Sequence, residues 1–315
     1  MPVENQGVRY TKRKKVKGHS SNPKKIVPVL IAIAVVIVCL AAAVALGIAL
    51  GKKANEYKSE SKYDFEYDLY KSGDKSVRVV DAVYYTLGTS AREYIKNGEG
   101  YLSFCLRNAQ GELGFVSSTA IDAGIAQNSS NISLADEMLY VHNLGGYACA
   151  YIYSTAFDCE DKYLREIYKA YELALIREAA ECGVDDILIV GLDVNADNIA
   201  EIEKYVSDAA VAADKAPLGV LASREIVLKA NDGVYFASRI LAVCDYLALD
   251  LRELDVNEMT STIDPDGNSG ADAIVAEFEY YIEAYRMRLV FSRENAKLCE
   301  SFRDLGVRNT QIIAE

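Results

Sequence analysis

Hydrophobic and polar positions divide the chain into stretches of different period. Residues 26–50 run for 25 positions without a charge. Residues 51–76 are rich in Lys, Glu, Ser, Asp and Tyr and hold no sustained apolar period. From Ser76 to the C-terminus, short apolar runs alternate with longer amphipathic ones. Strand-like runs fall at 78–86, 100–106, 147–153, 186–191, 217–222, 245–249, 288–291 and 310–314. Most are short and continuously apolar, as expected for strands buried on both faces of a parallel sheet.

Helical patterns separate these runs. They are read at 90–96, 133–142, 163–182, 198–214, 231–243, 271–286 and 293–305. Ser133 is a plausible N-cap for the second of them. The third is the clearest: Leu164, Ile167, Tyr168, Tyr171, Leu175 and Ala179 form one stripe, which Gly183 ends. Strict alternation of eight strands with intervening helices over 77–315 predicts an α/β fold, a (β/α)8 TIM barrel of about 250 residues. A doubly wound open sheet is the alternative. It loses its main support because no GxGxxG follows a strand and no GxxxxGK[ST] is present.

The uncharged run exceeds the roughly 30 Å hydrocarbon core of a bilayer. It is read as one N-terminal transmembrane signal-anchor helix preceding the barrel. A core helix rarely runs so long without a polar face. A cleaved signal peptide has a shorter apolar region, of about 7–15 residues, although small residues near 45–49 would admit a peptidase. Residues 1–25 carry eight Lys/Arg against one acid, Glu4. This positive bias predicts a cytoplasmic N-terminus, a single pass through the cell membrane and an extracytoplasmic body. The expected organisation is thus a basic arm (1–25), an anchor in membrane lipid (26–50), a stalk (51–76) and a barrel (77–315).

Charge narrows the partners. Removing the arm's eight bases and one acid from the chain's 34 and 46 leaves 26 against 45, a net −19. Such a body argues against nucleic acid, which is held largely through basic contacts to phosphate. The six cysteines beyond Cys39 contain no CxxC pair, so no metal site is expected. Cys159 and Cys182 remain candidates for an extracytoplasmic disulfide. No cofactor is expected, and the oligomeric state is left open. The segment 264–270 has calcium-loop residues but Val275 where the twelfth-position Glu belongs, so a turn is the better reading. Asn128 and Asn131 head glycosylation sequons.

Barrel chemistry sits on the loops that follow the strands. The strand ends offer Arg107, Asn108, Gln110 and Glu112; then Asp158, Glu160 and Asp161; Asp193 and Asn195; Arg224 and Glu225; and Asp250, Arg252, Glu253 and Asp255. Histidine is missing from this set, because His142 precedes the third strand and His19 is in the arm. The inventory suits two carboxylates flanking a glycosidic bond. Asp158, Asp193 and Asp250 are the candidate catalytic acids. Arg107, Asn108, Asn195, Arg224 and Glu225 are the candidate substrate-binding residues. Tyr84, Tyr85, Tyr151 and Tyr153 could stack on sugar faces, with core packing the competing role.

Four segments, YLSFCLRNAQGELGF (101–115), GGYACAYIYSTAFD (145–158), ALIREAAECGVDDILIV (174–190) and CDYLALD (244–250), resemble in order a bacterial family of glycoside hydrolases. That family is related to the α-amylase-like barrels. Arg107 stands for a family lysine and Gly111 for the turn glycine. Gly183, Asp185 and Ile187 match the helix-to-strand turn, and Asp158 and Asp245 match acids near block ends. The resemblance also implies departures. Cys105 falls at an aspartate of the second strand, Ile152 at an arginine, and Val190 at the aspartate of the fourth strand. An amylase-like barrel keeps its nucleophile at that last position, and valine cannot attack an anomeric carbon.

Two functions follow. In the first, this is a degenerate barrel that binds glycan or a cell-envelope partner without hydrolysis. In the second, it is a retargeted glycosidase using Asp193 with Asp158 or Asp250. A retaining pair needs carboxyls about 5–5.5 Å apart and an inverting pair about 6.5–9.5 Å.

Overall fold

The computed structural model describes residues 69–72, 75–124, 131–231, 234–255, 270–285 and 287–314. Eight parallel strands close into a barrel: β1 (Asp81–Tyr84), β2 (Tyr101–Arg107), β3 (Tyr147–Tyr153), β4 (Asp186–Val190), β5 (Leu218–Ala222), β6 (Tyr246–Asp250), β7 (Arg288–Ser292) and β8 (Thr310–Ile313). Each strand pairs with the next, and β8 returns to β1 through Thr310↔Asp81 and Gln311↔Ala82. The TIM-barrel expectation therefore stands; β2 to β8 lie within one residue of the runs read from hydropathy at both ends, and β1 lies inside the run 78–86. β3, β4, β5 and β7 are buried at every position. Their outer residues pack under helices and their inner residues fill the barrel, which explains the continuous apolar runs. No helix among the described residues is long and apolar enough to cross a membrane. The anchor at 26–50, the calcium-like segment up to 269 and Asn128 lie outside those residues.

Nine helices are described: α1 (Ala91–Lys96), α2 (Ser118–Asp122), α3 (Leu134–Asn143), α4 (Lys162–Glu181), α5 (Ile199–Ala212), α6 (Arg224–Leu228), α7 (Phe236–Leu241), α8 (Gly270–Tyr285) and α9 (Leu298–Asp304). Ser133 does cap α3, accepting from Asp136 N. Two short helices escaped the periodicity, yet each follows a serine cap: Ser117 Oγ accepts from Ala120 N, and Ser223 Oγ from Ile226 N. The helix read at 231–243 begins only at Phe236, because Ala230–Asn231 pairs with Val234–Tyr235 in an antiparallel hairpin. The Asp-Gly between them is a hairpin signal. The helix read from 293 begins at Leu298. Ahead of it, Asn295 Oδ1 accepts from Ser292 N (2.9 Å) and Ser292 Oγ accepts from Asn295 N (3.3 Å), a local pairing that competes with helix.

The stripe on α4 is only half right. Tyr171, Leu175 and Ala179 are buried, but Leu164, Ile167 and Tyr168 are exposed, while Lys169 and Glu172 are buried instead. Length accounts for this. Twenty helical residues span about 30 Å, whereas the five residues of β4 span about 17 Å. The first turns of α4 outrun the sheet they would have covered.

The stretch read as a stalk gives way to structure before its expected end. Leu69–Ser72 and Lys75–Arg78 form an antiparallel hairpin. Val77 is fully buried in the cluster of inward-facing residues that includes Tyr151, Leu188 and Ala248. Lys75 Nζ donates to Ala216 O (3.1 Å) and pairs with Asp245 (3.1 Å). The Arg78 guanidinium lies 4.4 Å over the Tyr147 ring. The hairpin thus closes the end of the barrel where the strands begin.

Just inside that end lies a polar layer. Arg288 Nη2 is 3.0 Å from Asp186 Oδ2, and both side chains are fully buried. Arg288 Nη1 also donates to Gln311 Oε1 (2.9 Å) and the Tyr246 hydroxyl (3.0 Å), and Gln311 Nε2 donates to Ser103 Oγ (3.0 Å). Burial alone would lower the pKa of Arg288, but Asp186 and its neighbours hold it well above its ordinary value. Room for Tyr246 comes from Gly219, where a Cβ would stand 2.1 Å from the tyrosine ring.

Candidate functional site

The opposite end, where the strands finish, holds the residues the strand-end rule singles out. Along β6, Tyr246, Ala248 and Asp250 alternate on the inner face, which brings Asp250 half-buried to the mouth. Arg252, two residues on, grips it: Nε donates to Oδ1 (2.9 Å) and Nη2 to Oδ2 (2.7 Å). The same guanidinium reaches across to β3, where Nη1 lies 2.5 Å from the Tyr153 hydroxyl. A carboxylate, a guanidinium and a phenol therefore bridge the barrel mouth.

Neither of the other two candidate acids shares a side-chain hydrogen-bond partner with Asp250. Asp158 ends a single 3-10 turn, Ala156–Asp158, and is exposed with no side-chain partner among the described residues. Asp193 is exposed, and only its main-chain carbonyl is engaged, by Asn198 Nδ2 (2.7 Å). Asp250 has Arg252 as its immediate partner where a hydrolase pair would supply a second carboxyl group. Val190, at the end of β4, is fully buried in the inner cluster. Burial pushes the half-buried Cys105 thiol up to about 12, so at neutral pH it is not a thiolate.

The candidate binding residues are mostly occupied elsewhere. After the bulge that separates it from Cys105, Arg107 is buried behind the barrel wall rather than in the mouth. There it donates to Tyr153 O (2.7 Å), Thr155 Oγ1 (2.8 Å) and Glu172 Oε1 (3.2 Å). Glu172, fully buried on α4, also accepts from Thr155 N, Ser154 Oγ and Tyr205 Oη at 2.8–2.9 Å. A buried arginine needs such a partner. Asn108 Oδ1 accepts from Gln110 N and Glu112 N and so shapes the turn after β2. Asn195 and Asn198 cap one another's backbone amides ahead of α5. Arg224 pairs with Glu277 on α8 (2.6 Å), and Glu225 with Lys229 one turn on (3.5 Å).

Other residues sort cleanly by end. His142 Nε2 is 2.8 Å from Asp185, at the start-of-strand end, as its position before β3 implied. Tyr85 and Tyr151 are core residues, whereas Tyr84 is half-buried. All six described cysteines, Cys159 and Cys182 included, are free thiols. Among the described residues no group of three or more His, Cys, Asp or Glu could hold a metal ion.

The rim after β7 was missed, and the strand-end rule carried to the seventh strand would have found it. Ser292, Arg293, Glu294 and Ala314 line a cavity of about 400 Å³. Arg293 is exposed, with its guanidinium 4.9 Å over the ring of Tyr84. Asn295 Nδ2 donates to Leu251 O (2.8 Å), Arg252 O (3.0 Å) and Leu254 O (3.3 Å). That one amide ties the rim after β7 to the loop carrying Arg252.

No protein-family model matches the chain. No curated protein sequence matches it either. Among solved structures it is similar to a sugar phosphate isomerase/epimerase from Parabacteroides distasonis, at 13% identity and a TM-score of 0.40, covering 75% of this chain and 88% of that one. It is also similar to the spore cortex-lytic enzyme SleL of Bacillus cereus, at 12% identity and TM-score 0.42, covering 68% of this chain but only 50% of that enzyme. A third is a chitinase from Chromobacterium violaceum, at 12% identity and TM-score 0.41, covering 68% of each chain. Likenesses this distant bear on no residue of the mouth.

Proposed function

We propose that this protein is a membrane-anchored, extracytoplasmic barrel that binds glycan or a cell-envelope partner at its mouth without hydrolysing it. On this reading it is a degenerate relative of the glycoside hydrolases that its sequence blocks resemble. The observation that carries the reading is the state of Asp250. Both of its oxygens are taken by the Arg252 guanidinium, while Asp158 and Asp193 stand exposed in separate loops. A glycosidase needs one carboxyl group to deliver a proton and a second to attack or to activate water. Val190 leaves β4 without an acid at its end. What the mouth does offer is a phenol, a chelated carboxylate and a tyrosine ring, which suit hydroxyl recognition and stacking on a sugar face. Residues 26–50 supply the tether, with membrane lipid as the partner of that segment.

The test is hydrolysis and binding measured together on the full chain in detergent. A panel of α- and β-glycans should be bound without release of sugar. Release of product, abolished by Asp193→Asn, would overturn the reading in favour of a retargeted glycosidase. For the tether, the protein should stay in the membrane fraction through an alkaline wash, with its C-terminus open to protease from outside the cell.

A further inference from the structure

We propose that the rim between β7 and β8 is an oxyanion subsite in which Arg293 receives the carboxylate of an acidic sugar. The inference rests on the glycan-binding reading above and assigns that ligand a charge. Every other arginine named at this end of the barrel is already paired: Arg107 with Glu172, Arg224 with Glu277 and Arg252 with Asp250. Arg293 has no carboxylate partner among the described residues, and it is exposed at the edge of a cavity of about 400 Å³. That volume lies at the lower end of the range typical of small-ligand sites.

Two features pre-organise it. The guanidinium carbon lies 4.9 Å over the centre of the Tyr84 ring, a cation–π contact that leaves its N–H donors for a planar, two-oxygen acceptor. The backbone beneath it is pinned, since Ser292 N donates to Asn295 Oδ1 at 2.9 Å and Asn295 in turn holds three carbonyls of the β6 loop. The backbone that carries the arginine is therefore held before any ligand binds.

Glu294 lines the same cavity without forming an ion pair to Arg293. Its negative charge opposes a doubly charged ligand more than a singly charged one. A carboxylate is therefore favoured over a phosphate dianion.

Titration calorimetry on the full chain in detergent, with glucose, glucuronate and glucose 6-phosphate as probes, tests this. Glucuronate should bind about tenfold tighter than glucose, as one charge-assisted bidentate contact supplies, with the phosphate ester between them. Arg293→Gln should bring the glucuronate-to-glucose ratio to about one, and Arg293→Lys should keep part of it. In Glu294→Gln the phosphate ester should gain on glucuronate. If glucose and glucuronate bind equally to the native protein, or if Arg293→Gln keeps the ratio, the subsite is refuted while the glycan reading stands. If no probe binds at all, both fall.

Discussion

The barrel contains the same three groups twice, once at each end. Near the start of the strands Arg288 pairs with Asp186 and stacks 4.1 Å from Tyr246, with both charged side chains fully buried. At the mouth Arg252 pairs with Asp250 and touches Tyr153, but these side chains keep 17% and 22% of their surface in solvent. The chemistry is alike and the surroundings are not. Below, Gln311 and Ser103 complete the network and the Val77 hairpin closes the end. Above, the groups are open to whatever enters. Burial turns one constellation into scaffold and leaves the other free to act as a site.

Breaking the lower cluster should have the largest effect. Asp186→Ala strands a buried guanidinium, and losing one partner of a buried pair costs about 3–5 kcal/mol. Chemical denaturation should show that loss. A double variant with Arg288→Met should recover a good part of it, because an apolar replacement leaves no orphan charge. A double variant no better than Asp186→Ala would mean that the arginine's other bonds, to Gln311 and Tyr246, dominate. Gly219→Ala tests the same layer by volume. Its new methyl would meet the Tyr246 ring at 2.1 Å, and overpacking of this kind typically costs about 1–3 kcal/mol.

Alkali sharpens the contrast without a mutation. Burial holds the Tyr246 phenol and the Cys149 thiol well above their ordinary pKa values, and Cys299 at about 12. The unfolded chain releases thiol protons near pH 8.5 and phenol protons near pH 10, at about their free values, while the native state keeps them. Protons are then bound more by the native state, so stability falls as pH rises above about 8.5 and more steeply above about 10. Denaturation midpoints between pH 7 and 11 should show that decline. A flat profile would mean the interior is wetter than its geometry implies.

The two ends also differed in how well the sequence revealed them. Hydropathy exposed the strands most plainly where both faces are buried, so β4 reads as the unbroken run Ile187, Leu188, Ile189, Val190. It could not expose Arg288 and Asp186 as a pair, since they stand 102 positions apart and meet only once the barrel closes. Nor could it tell that Arg107, at a strand end, turns away from the mouth, because the bulge after Cys105 reverses its side. Asp250 reached the mouth as expected, since alternation along β6 fixes its side. Asp158 and Asp193 sit on loops, where no period dictates direction. The hairpin from Leu69 falls in the stretch read as stalk as far as residue 76, because four-residue strands carry too little pattern to register. A barrel cut at residue 77 would also lose Lys75 and its contacts to Asp245 and Ala216.

The smallest expected effect on stability is at Arg252, and for that reason it is the most telling. Replacing it with glutamine removes a partly exposed ion pair, and such pairs are worth roughly 0–1 kcal/mol. The fold should hold with a denaturation midpoint close to that of the native protein, in sharp contrast to Asp186→Ala. Ligand binding should respond the other way, because Arg252 both occupies Asp250 and orients the Tyr153 hydroxyl. Loss of the guanidinium frees the carboxylate and removes the bridge across the mouth, so glycan affinity should drop about tenfold or more. Calorimetry beside denaturation on the same sample separates the two quantities. A variant that unfolds as readily as Asp186→Ala would make the upper cluster a second scaffold. A stable variant that binds glycan as before would place the site elsewhere on the barrel.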